Sequence, residues 1–197
     1  MLEGNVQRRN LIRRIVFRIK PLPRGQIYPC TLQDVKRVLE KLPCHDNHLS
    51  AVKTIEFSPD KAASWAAAST DLRTRTIRIF SNPSHLWWYV GRRMPWKVLK
   101  RELLFRYEAL VGKNSNGWWL WWVDRKKRRR YVLEQVLPHE IGHLVCAKRH
   151  TKSYVHNERV ADGYLGYLRR RKGQGEKSGT VLISGGGPRV TRGVGSG

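Results

Sequence analysis

Residues 131–147 read YVLEQVLPHEIGHLVCA, and this stretch decides what the rest of the chain is folded around. Val132, Leu133, Val136, Leu137, Ile141, Leu144 and Val145 recur at helical spacing, which predicts a buried helix from Tyr131 to Ala147. His139 and His143 stand four residues apart on it. Four residues turn a helix by about 400° and raise it roughly 6 Å, so both imidazoles leave one face a single turn apart. Two ring nitrogens so placed can share one metal ion at about 2.0–2.1 Å. Glu140, one residue after the first His, points beside that ion, where it can take a proton from a bound water. Gly142 permits close approach by a neighbouring backbone. Pro138 removes one helical hydrogen bond, so it kinks the helix or marks its effective start.

Two histidines leave a catalytic metal site incomplete, because such sites generally use three protein ligands and keep one position open. A second helix is expected over Asn157 to Arg170, with Glu158, Ala161, Asp162 and Leu165 on one face. Glu158 is the leading third ligand. Small Ala161 would let the two helices meet, and Asp162 could hold a ligating His by its other nitrogen. Without a metal, Glu158 reads as an ordinary helix-start carboxylate. His156 stays open as the alternative ligand, whereas His150 lies too soon after His143 for the chain to turn back. Cys44, His45 and His48 fit no zinc spacing and read as a loop.

Upstream, residues 1–30 form a basic arm in which 15–19 suit a short edge strand. Thr31 with Asp34 makes a capping box for a helix that Pro43 stops. Val52, Ile55 and Phe57 suggest a strand. Ala62 to Ser69 is a small-residue loop, and Thr76 to Phe80 alternates as a half-exposed strand at a sheet edge. Two β-like runs follow, Leu103 to Leu110 and Trp118 to Val123, joined by a loop longer than the tightest hairpin type. Trp118, Trp119, Trp121 and Trp122 read as buried core, with a base-stacking platform as the rival reading. Arg125 to Arg130 reads as a basic loop or a phosphate contact. Beyond Lys172 nine glycines and few apolar residues predict a disordered tail, 171–197.

With 39 Lys and Arg against 15 Asp and Glu, the chain carries +24. Such a field attracts polyanions, nucleic acid included, and reports association rather than chemistry. Three cysteines without regular spacing argue against a disulfide framework and fit a reducing cytoplasm. No secretory segment and no run of membrane-spanning length is visible, so no membrane insertion is expected. Oligomeric state is not legible.

His139-Glu140-Ile141-Gly142-His143 followed by Asn157-Glu158-Arg159-Val160-Ala161-Asp162 resembles the gluzincin-like pattern HExxH…NExxAD of the zincin metallopeptidases. It is also similar to small uncharacterised bacterial proteins with an HELGH helix. The resemblance covers roughly Tyr131 to Arg170, and its interval from His143 to Glu158 is shorter than in thermolysin-like enzymes. It implies an α+β, minimal zincin-like domain over 31–170, with a small, mostly antiparallel sheet packed on the active helix and the ligand helix. It implies Zn2+ held by His139, His143 and Glu158, Glu140 as general base, and an extended peptide or protein substrate lying along Thr76–Phe80. Tyr154, Tyr164 and Tyr167 are the nearby oxyanion candidates. The alternative expectation is a basic nucleic-acid-binding protein with a structural or vestigial zinc, or a protease acting on nucleic-acid-bound proteins. SprT-like zincins are the analogy for that case, with His156 as third ligand.

Overall fold

The structure is a computed structural model, and it describes residues 10–42, 48–59, 67–92 and 106–173. The predicted tail beyond 173, Cys44, His45 and the first three residues of the first β-like run, 103–105, lie outside the described residues; of the rest of that run, 106 and 107 are helical and the strand begins only at Ala109.

The capping box forms as expected. Thr31 Oγ1 accepts from the Asp34 amide and Asp34 Oδ2 accepts from the Thr31 amide, which starts helix α1, Leu32–Lys41. This helix connects β1 (Val16–Ile19) to β3 (Thr54–Ser58), which lie side by side and parallel. Val35 and Leu39 of α1 are fully buried in the same core as Ile55 and Phe57 of β3. Next come β4 (Ala68–Asp71) and β5 (Thr76–Phe80), an antiparallel pair whose turn is fixed by Asp71 Oδ1 accepting from the amides of Arg73 and Thr74. The four strands run in the order β1-β3-β5-β4.

Two expectations change here. Thr76–Phe80 is an interior strand, flanked by β3 and β5's hairpin partner β4, so among the described residues the sheet edges are Val16–Ile19, as expected, and Ala68–Asp71. Its alternation misleads because Arg78, the charged residue that looked solvent-facing, lies across from Glu56 of β3 and pairs with Glu56 and Asp71 at 3.6 and 3.7 Å. The small-residue loop also ends early, since Ala68 and Ser69 are already strand.

A two-stranded ladder, β2 (Gln26–Ile27) with β6 (Asn82–Pro83), lies apart from a second sheet of order β7-β9-β8. That sheet is Trp87–Gly91, Gly117–Trp122 and Ala109–Asn114, antiparallel throughout. Its hairpin is tighter than expected. Asn114 pairs directly with Gly117, and Asn114 Oδ1 accepts from the amides of Asn116 and Gly117. Gly117 has φ +140°, which an L side chain rarely adopts. The chain is thus α+β, and among the described residues four of the six strand pairings are antiparallel; both parallel pairs sit in the larger sheet.

The basic run is helix rather than loop. Asp124 Oδ1 accepts from the Lys127 amide and caps α2, Arg125–Tyr131. The helix continues through a π-helical turn, Val132–Val136, closed by Leu137 N–H donating to the Val132 carbonyl, into α3, Leu137–Val145. A proline at 138 cannot donate to the carbonyl four residues back, and the widened turn absorbs that loss. The last element, α4, runs Tyr154–Gly173, longer at both ends than anticipated. Among the described residues no helix is long and apolar enough to cross a membrane.

Candidate metal centre

Helix α3 buries Leu137, Ile141 and Leu144 against the larger sheet, which turns His139 and His143 towards α4. The helices meet closely because of two small residues. Ala161 is fully buried, and a Cβ at Gly142 would stand 3.0 Å from Tyr164 Cδ1 and 3.1 Å from the Ala161 carbonyl oxygen.

Across that contact the donor atoms converge. His139 Nε2 and His143 Nε2 are 3.2 Å apart. The Glu158 carboxylate spans both, with Oε2 3.3 Å from His139 Nε2 and Oε1 3.4 Å from His143 Nε2. His139, His143 and Glu158 form a cluster able to hold a metal ion, each offering one atom within 4.8 Å of the others. His139 Nδ1 lies 3.2 Å from Asp162 Oδ1, so a proton on Nδ1 leaves the Nε2 lone pair facing the cluster. Burial disfavours the charged form of His139, but the Asp162 hydrogen bond and the charges of Glu140 and Glu158 outweigh it and raise its pKa. His143 moves the other way. Burial, then the neighbouring His139 and His150, pull it down to about 4, so it is neutral near pH 7 with its lone pair available.

Glu140 points elsewhere, as its position one residue on requires. Its carboxylate is buried, and Oε2 accepts a 2.6 Å hydrogen bond from the Thr70 hydroxyl of edge strand β4. Burial raises its pKa, while the Thr70 hydrogen bond and His139 pull back down. The site thus joins α3, α4 and the sheet edge.

The remaining candidates separate cleanly. His156 is exposed and its Nε2 contacts the Arg149 carbonyl at 3.0 Å, outside the cluster. His150, set aside as too near in sequence, does turn back: a short 3-10 turn, Ala147–Arg149, brings its ring 5.2 Å from that of His143. Tyr154 hydrogen-bonds Glu158, whereas buried Tyr164 packs against Gly142 and its hydroxyl meets His48 Nδ1 at 3.1 Å. Tyr167 also lies beside His48, with ring centroids 6.3 Å apart. Thr70 was not foreseen. Nothing in a run of Ala, Ser and Thr marks one hydroxyl for a partner seventy residues away.

No family model, no curated protein and no solved structure matches this chain.

Proposed function

We propose that this chain is a zinc-dependent hydrolase of peptide bonds. The observation that carries the reading is the convergence of two imidazole nitrogens 3.2 Å apart with a carboxylate whose two oxygens reach one nitrogen each at 3.3 and 3.4 Å, and a buried carboxylate beside them. Ligand atoms set tetrahedrally at about 2.0–2.1 Å from zinc are themselves roughly 3.3 Å apart, so the residues fit that ion. Two imidazoles and one carboxylate are also the donor set of catalytic rather than structural zinc, which keeps a position open. A purely structural site would have no use for Glu140.

When bound, the ion supplies a Lewis acid that acidifies water and polarises a carbonyl. Glu140 is the base that takes the water's proton and later delivers it to the leaving amine. Its raised pKa suits both directions of transfer, and Thr70 fixes which way its carboxylate faces. Asp162 keeps His139 in the ligating tautomer. Tyr154, hydrogen-bonded to Glu158 and mostly exposed, offers a hydroxyl beside the cluster for a developing oxyanion. β4, which ends the sheet among the described residues, replaces β5 as the strand whose backbone groups can receive an extended peptide.

The test is Glu140→Gln. Zinc should remain at one equivalent by atomic absorption while hydrolysis of an unstructured protein such as casein falls by at least about a thousand-fold. Undiminished turnover would sink the assignment of Glu140, and a wild-type chain that holds no zinc would sink the metal.

A further inference from the structure

The second sheet has two unlike faces. Ala109, Leu120 and Trp122 share one with Tyr107 and Tyr131 and form a small buried core. Cross-strand register puts Trp87, Trp121 and Leu110 in one row of the other face, and Tyr89, Trp119 and Gly112 in the next. That face is open: Trp87, Tyr89 and Trp121 are 38–41% exposed and Leu110 is 61% exposed.

The rings are ordered rather than splayed. His85 lies over Trp87 with centroids 4.2 Å apart, Trp87 meets Trp119 at 4.7 Å, and Trp119 meets Tyr89 at 5.2 Å. The Tyr89 hydroxyl is tied to the Asn116 carbonyl at 2.9 Å. Trp121 lies across Gly112, where any Cβ would come within 2.5 Å of the indole, so the glycine makes room for a flat ring.

The setting is strongly cationic. Residues 84–92 and 106–131 carry nine Lys or Arg against Glu108 and Asp124, of which Arg128 is buried and Lys127, Arg129 and Arg130 are paired with Glu108, Asp34 and Glu134. Exposed Arg125 reaches the Ser84 carbonyl at the His85 end of the row, and exposed Arg92 follows the strand that holds Tyr89. An open row of fixed aromatic rings with cations at both ends matches unpaired bases on a phosphate backbone: π-faces stack on rings while guanidinium groups take phosphate charge. A neutral or basic protein partner would meet the rings equally well but would gain nothing from the charge. A duplex would meet the charge but hide its base faces.

We propose that this face binds single-stranded nucleic acid by stacking bases on Trp87, Trp119, Tyr89 and Trp121. It is independent of the metal centre.

The full chain is titrated at low salt with a twenty-nucleotide oligothymidylate, the matching oligouridylate, a duplex of the same length and polyphosphate, following tryptophan fluorescence and anisotropy. Quenching with the single strands, tighter than the duplex, is expected. Trp87→Ala and Trp121→Ala should each weaken single-strand binding about five-fold or more, while Trp121→Phe keeps most of it. Circular dichroism of each variant confirms that the fold is kept. Duplex or polyphosphate binding as tight as the single strands, with the alanine variants unchanged, overturns the proposal in favour of charge alone. Sedimentation of a dimer that Leu110→Glu dissociates, with no single-strand binding by either form, overturns it in favour of self-association.

Discussion

Thr70 and Asp162 contact the site without belonging to the His139, His143 and Glu158 cluster. Thr70 donates to a buried carboxylate and so favours its ionised form, against the burial that raises its pKa. Removing the hydroxyl raises that pKa further, and a base must be deprotonated to work. Thr70→Val is therefore expected to move the acid limb of the pH–rate profile to higher pH and to lower kcat about ten-fold at neutral pH. Zinc content should be unchanged and Thr70→Ser should restore the profile; a profile that does not move denies Thr70 this role. Asp162 holds the His139 nitrogen that faces away from the His139, His143 and Glu158 cluster. Asp162→Asn should weaken zinc affinity about 10- to 100-fold in a chelator competition, with the fold intact. The difference in legibility between these residues is physical. Asp162 is four residues after Glu158 on one helix face, so spacing reveals it. Thr70 meets Glu140 through a tertiary contact that no local period encodes.

Helix packing sets the distances just described. At Gly142 two effects compete. Alanine in a helix is favoured over glycine by about 1 kcal/mol, but here its methyl would press on Tyr164 and on a backbone carbonyl of α4 at 3.0–3.1 Å. The tyrosine can give and the carbonyl cannot without moving the ligand helix. Gly142→Ala is accordingly expected to destabilise by about 1–2 kcal/mol net in chemical denaturation and to loosen zinc. A stabilised variant with normal zinc affinity would show that the helices have slack. Gly142 and Ala161 could be read from sequence as a close approach because both lie on the faces bearing His143 and Glu158. Sheet order could not. Arg78 made β5 look like an edge, and only the facing Glu56 explains how a charge sits in a middle strand.

On the scale of the molecule, two hydrophobic clusters must be joined: one between the larger sheet and the helices, the other under the second sheet. Tyr131 packs against both. Beside it Arg128 is 1% exposed and donates to the carbonyls of Pro83 and His85. Burial pulls its pKa down to about 10, so it is still charged at neutral pH. Replacing it leaves two carbonyls unpaired and a void. Arg128→Ala should cost about 3 kcal/mol, seen as a lower thermal midpoint and a broader transition as the two clusters uncouple. An unchanged, sharp transition would mean that the clusters are held together by something else. From sequence alone the six-residue basic run read as a solvated loop or a phosphate contact, and its central arginine gave no sign of being the largest fully buried side chain among the described residues.

The π-helical turn at Val132–Val136 lets one length of helix serve both jobs. Arg128 and His139 are eleven residues apart, which in an unbroken α-helix would bring them to within about 20° of the same azimuth. The single extra residue in the widened turn rotates everything after it by roughly a quarter turn. The helix works as a splined shaft with one tooth skipped: its first half indexes the aromatic sheet, its second half the proposed metal ligands. The two ends can therefore change their cargo independently, but no residue can be lost between them without turning one against the other.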